Sequence, residues 1–133
     1  MDPFYFIALS QLILIVNQFF NIPAIQFVYE DVKIGGYNYS SEEFLSSSYI
    51  YDFKSNTCNK LADLNVAREC PACTVFGGKV VVTGGENNWP QLKSVEAYDY
   101  HENKRTYLPV MIEKRSYHAA VSMGNKMFVI GGK

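Results

Sequence analysis

A strand-forming run that ends in two glycines, met twice at a fixed spacing, constrains this chain more than any other feature. Lys79-Val-Val-Val-Thr-Gly-Gly85 returns as Lys126-Met-Phe-Val-Ile-Gly-Gly132, 47 residues on. A weaker copy, Glu30-Asp-Val-Lys-Ile-Gly-Gly36, precedes the first by 49 residues. The match runs well beyond the glycines. Aligned without a gap, 51–85 against 98–132 share eleven identities in 35 pairs, where about two are expected from ordinary residue usage. Among them are Tyr51-Asp52 with Tyr98-Asp99, Asn56 with Asn103, Arg68 with Arg115, and Lys79 with Lys126. A repeat of this length points to an array of similar supersecondary units.

The content of one unit follows from its pattern. Val80–Thr83 and Met127–Ile130 are apolar without alternation, which predicts strands buried on both faces. The glycine pairs Gly35-Gly36, Gly84-Gly85 and Gly131-Gly132 are expected to end those strands where a side chain would clash. Ala72–Phe76 and Ala119–Met123 read as preceding strands. Gly77-Gly78 and Gly124-Asn125 read as two-residue hairpin turns. Val95–Tyr98 and Arg105–Leu108 read as a third and a fourth strand. Each period therefore predicts one four-stranded antiparallel sheet.

A four-stranded unit with Gly-Gly after its inner strand, a Tyr-Asp pair, an upstream Arg and a Gly-x-Lys hairpin resembles the kelch repeat, a blade of a β-propeller. The likeness covers residues 30–133. Kelch repeats usually carry a Trp a few residues after Tyr-Asp. Here those positions hold Cys58 and Arg105, so looser packing of the outer strands is expected. The expected fold is all-β, an incomplete kelch-type propeller of about two and a half blades behind an apolar N-terminal helix. Residues 30–65 form a partial blade, 66–113 a full one and 114–133 a half. Propellers close with about four to eight blades. The chain is therefore read as a piece of a longer protein, or as a module completed by another chain.

Residues 1–29 do not match the repeat. Phe4–Phe20 is apolar, with its polar residues on one narrow stripe at helical period. Asp2-Pro3 suits a helix start and Pro23 a helix end. A signal peptide needs a basic beginning and a small-residue cleavage site, and neither is evident. A membrane span would be short and carries several amides and hydroxyls. The segment is read as an improvised start that covers apolar blade surface, with a signal or anchor as the alternative. Asn38-Tyr39-Ser40 is a glycosylation triplet of a kind frequent by chance.

The formal net charge of −1 offers no electrostatic case for nucleic acid or an anionic membrane. Cys70-Pro-Ala-Cys73 has the spacing of a metal half-site, but no second pair completes it. The repeat sets Cys73 opposite Ala120, which reads as a small core position. Three cysteines cannot all pair, which fits a reducing, cytoplasmic setting. His101 and His118 lie without an evident nucleophile or orienting group. Asp52 and Asp99 occupy matching places and read as turn-forming residues. No enzyme activity, cofactor or metal is expected.

What the kelch resemblance implies is a scaffold that displays loops to a partner protein. The residues just after Gly-Gly and those entering a blade's first strand form the implied face: Tyr37, Asn38, Glu86, Asn88 and Trp89, with Cys70 and Tyr117. Trp and Tyr are frequent interface anchors. The polar stretches 37–47 and 86–93 read as its loops. The likeness is nearest to BTB–kelch proteins. These act as substrate-recognition adaptors of cullin-RING ubiquitin ligases and contact the cullin through a BTB domain, of which these 133 residues show no sign. An actin-binding cytoskeletal kelch protein is the alternative. A secreted or membrane-anchored kelch protein is the second.

Overall fold

The computed structural model describes residues 30–52, 54–88 and 90–133. The expected helix within 1–29 lies outside these residues. Nine strands follow in order: β1 (Glu30–Asn38), β2 (Glu43–Asp52), β3 (Thr57–Leu61), β4 (Ala72–Phe76), β5 (Lys79–Thr83), β6 (Val95–Asp99), β7 (Lys104–Leu108), β8 (Ala119–Met123) and β9 (Lys126–Ile130). They form three sheets with neighbours in chain order: β1-β2-β3, β4-β5-β6-β7 and β8-β9. The last two sheets are antiparallel throughout. This is the all-β, bladed architecture that the repeat predicts. By compactness the chain divides into Tyr49–Lys60 with the described residues up to Lys33, and a larger unit of Ile34–Ser48 with Leu61–Lys133.

The four-stranded sheet shows why the apolar run is a strand. Val80 pairs with Val75 on one side and Tyr98 on the other, and Val82 with Cys73 and Glu96. Val81, Val82 and Thr83 are buried. Val81, Val95 and Ala97 form a core packed by Phe76, Leu108, Met111 and Met127. Each fully buried valine stabilises by about 1.5–3 kcal/mol relative to exposure. β9 departs from the expectation of two buried faces, because Phe128 and Ile130 are exposed. Among the described residues it pairs with β8 alone, and Met127 packs against the core.

Two further expectations are corrected. β1 runs on through Gly35-Gly36 to Asn38, and β2 begins at Glu43. The stretch 37–47 is thus mostly an extended hairpin rather than a loop. Aromatic packing holds it: the Tyr37 ring meets Tyr39 and Phe44 edge-on, each at 5.0 Å. Second, the absence of Trp at Arg105 does not loosen the outer strands there. Arg105 is buried. It donates from Nε to the Ala62 carbonyl at 2.8 Å and from Nη2 to Ser48 Oγ at 2.8 Å, and it covers the Tyr98 ring at 5.2 Å. A guanidinium stacked on an aromatic face takes over part of what a large ring would do.

The Tyr-Asp pairs build turns, as expected. Asp99 Oδ1 accepts from the His101 and Glu102 amides, and Asp52 Oδ1 from those of Lys54 and Ser55. Hydrogen bonds hold both carboxyls below their ordinary range, led by the Ser55 hydroxyl for Asp52 and by the Glu102 amide for Asp99. Tyr98 and Tyr51 donate to the Asn103 and Asn56 side chains. Both asparagines take the left-handed conformation that Asn tolerates.

Close approach requires glycine at Gly35, Gly84, Gly85 and Gly132, whereas a Cβ on Gly131 would meet nothing within 4 Å. A Cβ on Gly84 (φ 56°) would overlap the Arg115 carbonyl oxygen and lie 2.7 Å from His118 Cε1. Gly78 (φ 74°) has nothing within 4 Å of such an atom, and Asn125 occupies the equivalent turn position. Gly84→Val should therefore cost at least about 3 kcal/mol, and Gly78→Asn no more than about 1 kcal/mol. Urea denaturation of the two variants checks this, and equal stabilities would overturn the repeat alignment.

Candidate functional site: the loops after Gly-Gly

Arg68 frames the site. It is fully buried, and its Nη1 donates to the Gly84 carbonyl at 2.8 Å. Its Nη2 pairs with Glu96 Oε1 at 2.5 Å and donates to Ser94 Oγ at 3.0 Å. Burial works against the guanidinium charge, and Glu96 sustains it. Glu96 Oε2 also accepts from the Asn65 amide at 2.8 Å. Arg115 repeats the central bond, donating from Nη1 to Gly131 O at 2.6 Å, but its carboxylate partner is the exposed Glu113. Burial separates the two. Breaking a buried pair leaves a bare charge, worth about 3–5 kcal/mol, whereas an exposed pair contributes about 0–1 kcal/mol. Arg68→Met should lower stability by about 3 kcal/mol or more, and Arg115→Met by about 1 kcal/mol. Double-mutant cycles with Glu96→Gln and Glu113→Gln should show coupling only at Arg68. Equal losses for the two arginines would contradict this assignment.

Backbone bridges join the segments that carry the candidate residues. Glu69 and Glu86 exchange amide bonds of 3.0 and 2.9 Å, and Ser116 and Lys133 do the same at 3.4 and 3.0 Å in the equivalent place. Cys70 and Tyr117 occupy matching positions at strand entry, both left-handed, with φ of 50° and 54°. The Tyr117 amide donates to the Cys70 carbonyl at 3.2 Å.

Three of the residues chosen from sequence come together. The buried Glu86 accepts from Tyr117 Oη at 3.3 Å and from Ser116 Oγ at 3.2 Å. A hydrogen bond links Tyr117 to Cys70 and drives the phenol pKa well above its ordinary value. Burial raises the Cys70 thiol, so it is a poor nucleophile at neutral pH. The Tyr117 ring is exposed, with Lys133 Nζ 5.3 Å from its centroid. Burial and then Glu86 raise the Glu69 carboxyl.

Asn88 is exposed elsewhere on the same loop. It lines a groove of about 300 Å³ with Glu42, Glu43, Phe44, Ala67 and Asn87. Tyr37 is half-buried in β1, and the exposed Asn38 accepts the Ser40 and Ser41 amides on its side chain. These two organise the hairpin tip rather than reach the Tyr117 cluster. Trp89 lies outside the described residues. Glu42, Glu43 and Phe44 fall in the stretch 37–47 that the sequence reads as a polar loop, and no sequence signal singles out Ala67 or Asn87.

No disulfide joins the three cysteines. Among the described residues no three His, Cys, Asp or Glu side chains converge as a metal site. Among them too, no helix is long and apolar enough to cross a membrane.

A Kelch motif family model matches residues 67–111 and 114–133. This is a kelch-repeat chain. Kelch-like protein 38 of Rattus norvegicus is 31% identical over 84 residues, covering 63% of this chain and 14% of that protein. Kelch-like protein 41b of Danio rerio is 33% identical over 88 residues, 66% of this chain and 14% of its own. An F-box/kelch-repeat protein of Arabidopsis thaliana is 35% identical over 86 residues, 64% of this chain and 23% of its own. This kelch-repeat chain thus spans less than a quarter of the length of these relatives. A solved structure titled "Structure of YjhT" shares the fold with a TM-score of 0.64 at 18% identity, covering 78% of this chain and 31% of that one.

His118 lies at the edge of the kelch site. Its Nε2 stands 2.8 Å from Thr83 Oγ1, and its Nδ1 is buried without a hydrogen-bond partner among the described residues. Burial, and then the Arg115 charge, lower its pKa below 6.5, against an opposing hydrogen bond from Thr83. The unfolded chain therefore takes up the proton first. The stability that the neutral ring contributes is complete above pH 6.5 and is lost as pH falls through the folded value. Urea midpoints measured from pH 7.5 to 5 should drop for the natural chain and drop less for His118→Gln. Parallel curves would refute the assignment.

Proposed function

We propose that this chain is the protein-binding part of a substrate-recognition adaptor for a cullin-RING ubiquitin ligase. The observation that carries the reading is the division of labour in the repeat built on Arg68. Arg68, Glu96, Gly84 and Gly85 are buried and used in holding the frame. The loop residues Asn88 and Tyr117 stand exposed beside the backbone bridges that this frame fixes. Side chains held on a rigid frame bind at low entropic cost, and an exposed Tyr is a frequent anchor. The relatives named Kelch-like, and the F-box/kelch-repeat relative, support placing it in an adaptor. In this reading contact with the ligase falls to a BTB domain outside these 133 residues, the partner is a protein substrate, and the setting is cytoplasmic. A binding module accounts for the raised thiol and phenol at Cys70 and Tyr117 without requiring either as a nucleophile.

Affinity capture from a cell extract tests the binding surface. The natural chain should retain a reproducible set of proteins, and Asn88→Ala with Tyr117→Ala should lose them at least about tenfold. Tyr107→Ala, at an exposed position of the outer strand β7, should retain them. Equal capture by all three would overturn the assigned face. The ligase role has its own measurement. Overproduced chain should compete with the intact adaptor and lengthen the half-lives of the captured proteins. Unchanged half-lives would remove that role, and co-sedimentation with actin filaments would replace it with a cytoskeletal one.

A further inference from the structure

The groove at Asn88 has a definite construction and charge. Its six lining residues come from three segments: Glu42, Glu43 and Phe44 from the β1–β2 hairpin, Ala67 from the stretch before β4, and Asn87 and Asn88 from the loop after Gly84-Gly85. The walls are tied together. Asn87 Nδ2 donates to the Ala67 carbonyl at 2.7 Å, next to the Glu69–Glu86 bridge. On the other side, the Arg68 amide donates to Leu45 O at 3.1 Å and the Gly36 amide to Arg68 O at 2.8 Å. Tyr37 packs on Phe44, and the Asn38 side chain caps the tip. The groove is therefore shaped before any partner arrives.

Its charge is of one sign. No lining residue is cationic, and neither Glu42 nor Glu43 has an ion pair with a cation among the described residues. Ser41 Oγ donates to Glu43 Oε2 at 3.0 Å, which turns that carboxylate in place and leaves Oε1 available. Phe44 supplies the apolar wall, and Asn88 an exposed amide able to donate and accept. The volume lies at the lower end of small-ligand sites, enough for a long side chain. A planar guanidinium matches a carboxylate in two parallel hydrogen bonds, and its stem packs on an aromatic ring.

Resting on the protein-binding reading above, we propose that this groove receives an arginine side chain from an extended segment of the partner protein. Glu42 and Glu43 take the guanidinium, the Phe44 ring takes the aliphatic stem, and Asn88 bonds the peptide backbone beside it.

The test titrates the isotopically labelled 133-residue chain with a capped pentapeptide. Its central arginine is flanked by glycine and serine, and a second peptide carries glutamine in its place. Amide shifts at Glu42–Phe44 and Asn87–Asn88 should saturate with the arginine peptide alone and weaken between about 50 and 300 mM salt, where the Debye length falls below about 10 Å. Glu42→Gln with Glu43→Gln should weaken binding at least fivefold. Glu102→Gln, an exposed acid in the β6–β7 turn, should leave it unchanged. Absence of saturation with the arginine peptide, or equal shifts with the glutamine peptide, would overturn the inference. If that happens while Asn88→Ala with Tyr117→Ala still abolishes capture, the arginine inference falls and the binding reading stands. If capture is also indifferent to the face, both fall.

Discussion

The larger unit rests on one recurrent contact, an arginine that joins two glycine pairs. The Arg68 guanidinium donates to Gly84 O within its own repeat, while its carbonyl accepts the Gly36 amide from the preceding one. Arg115 does the same with Gly131 O and the Gly85 amide. Where strands end in a packed interior, their backbone groups lose water and need partners. The arginine supplies an acceptor to one repeat and donors to the next. Glycine is needed because a Cβ on Gly35 would lie 2.5 Å from Arg68 O, and one on Gly84 would overlap Arg115 O. Closeness and hydrogen bonding are thus one constraint. The spacing of arginine and glycine follows from it.

Within that frame the two arginines are not equivalent. Arg68 is enclosed with Glu96, and its charge is stabilised by a carboxylate that also accepts backbone amides. Arg115 is partly open and pairs with an exposed acid. Arg105 adds a third guanidinium, buried over Tyr98 at a position where the repeat usually sets a large ring. It substitutes directional bonds to Ser48 and Ala62 for apolar contact. Its Nη1 is buried without a hydrogen-bond partner among the described residues. Leaving such a donor unpaired costs about 1–3 kcal/mol, which offsets part of that gain.

The loops inherit their geometry from this frame. Glu69 with Glu86, and Ser116 with Lys133, are bridged at matching positions. Cys70 and Tyr117 enter their strands in the same left-handed conformation. Function can vary on such a base through side chains alone. Glu86 gathers Tyr117 and Ser116 on one side of its loop, while Asn88 opens to the groove on the other.

What the sequence determined by itself was whatever repeats. The period set the strands β4 to β9 to within a residue of their ends, because apolar runs and glycine turns are local signals. Equivalence of Asp52 with Asp99, and of Asn56 with Asn103, already implied turn-building, since two identical loops seldom share a catalytic residue. Tertiary structure alone decided what joins distant segments. That Glu96 neutralises Arg68 across 28 residues is invisible to periodicity, because position 49 holds Tyr. That Phe128 and Ile130 are exposed while their counterparts Val81 and Thr83 are buried depends on which sheet faces each strand. The groove, too, is tertiary. Its walls lie far apart in the chain, and the charge of the adjacent Glu42 and Glu43 meets the Asn87-Asn88 loop only when hairpin and loop are brought side by side.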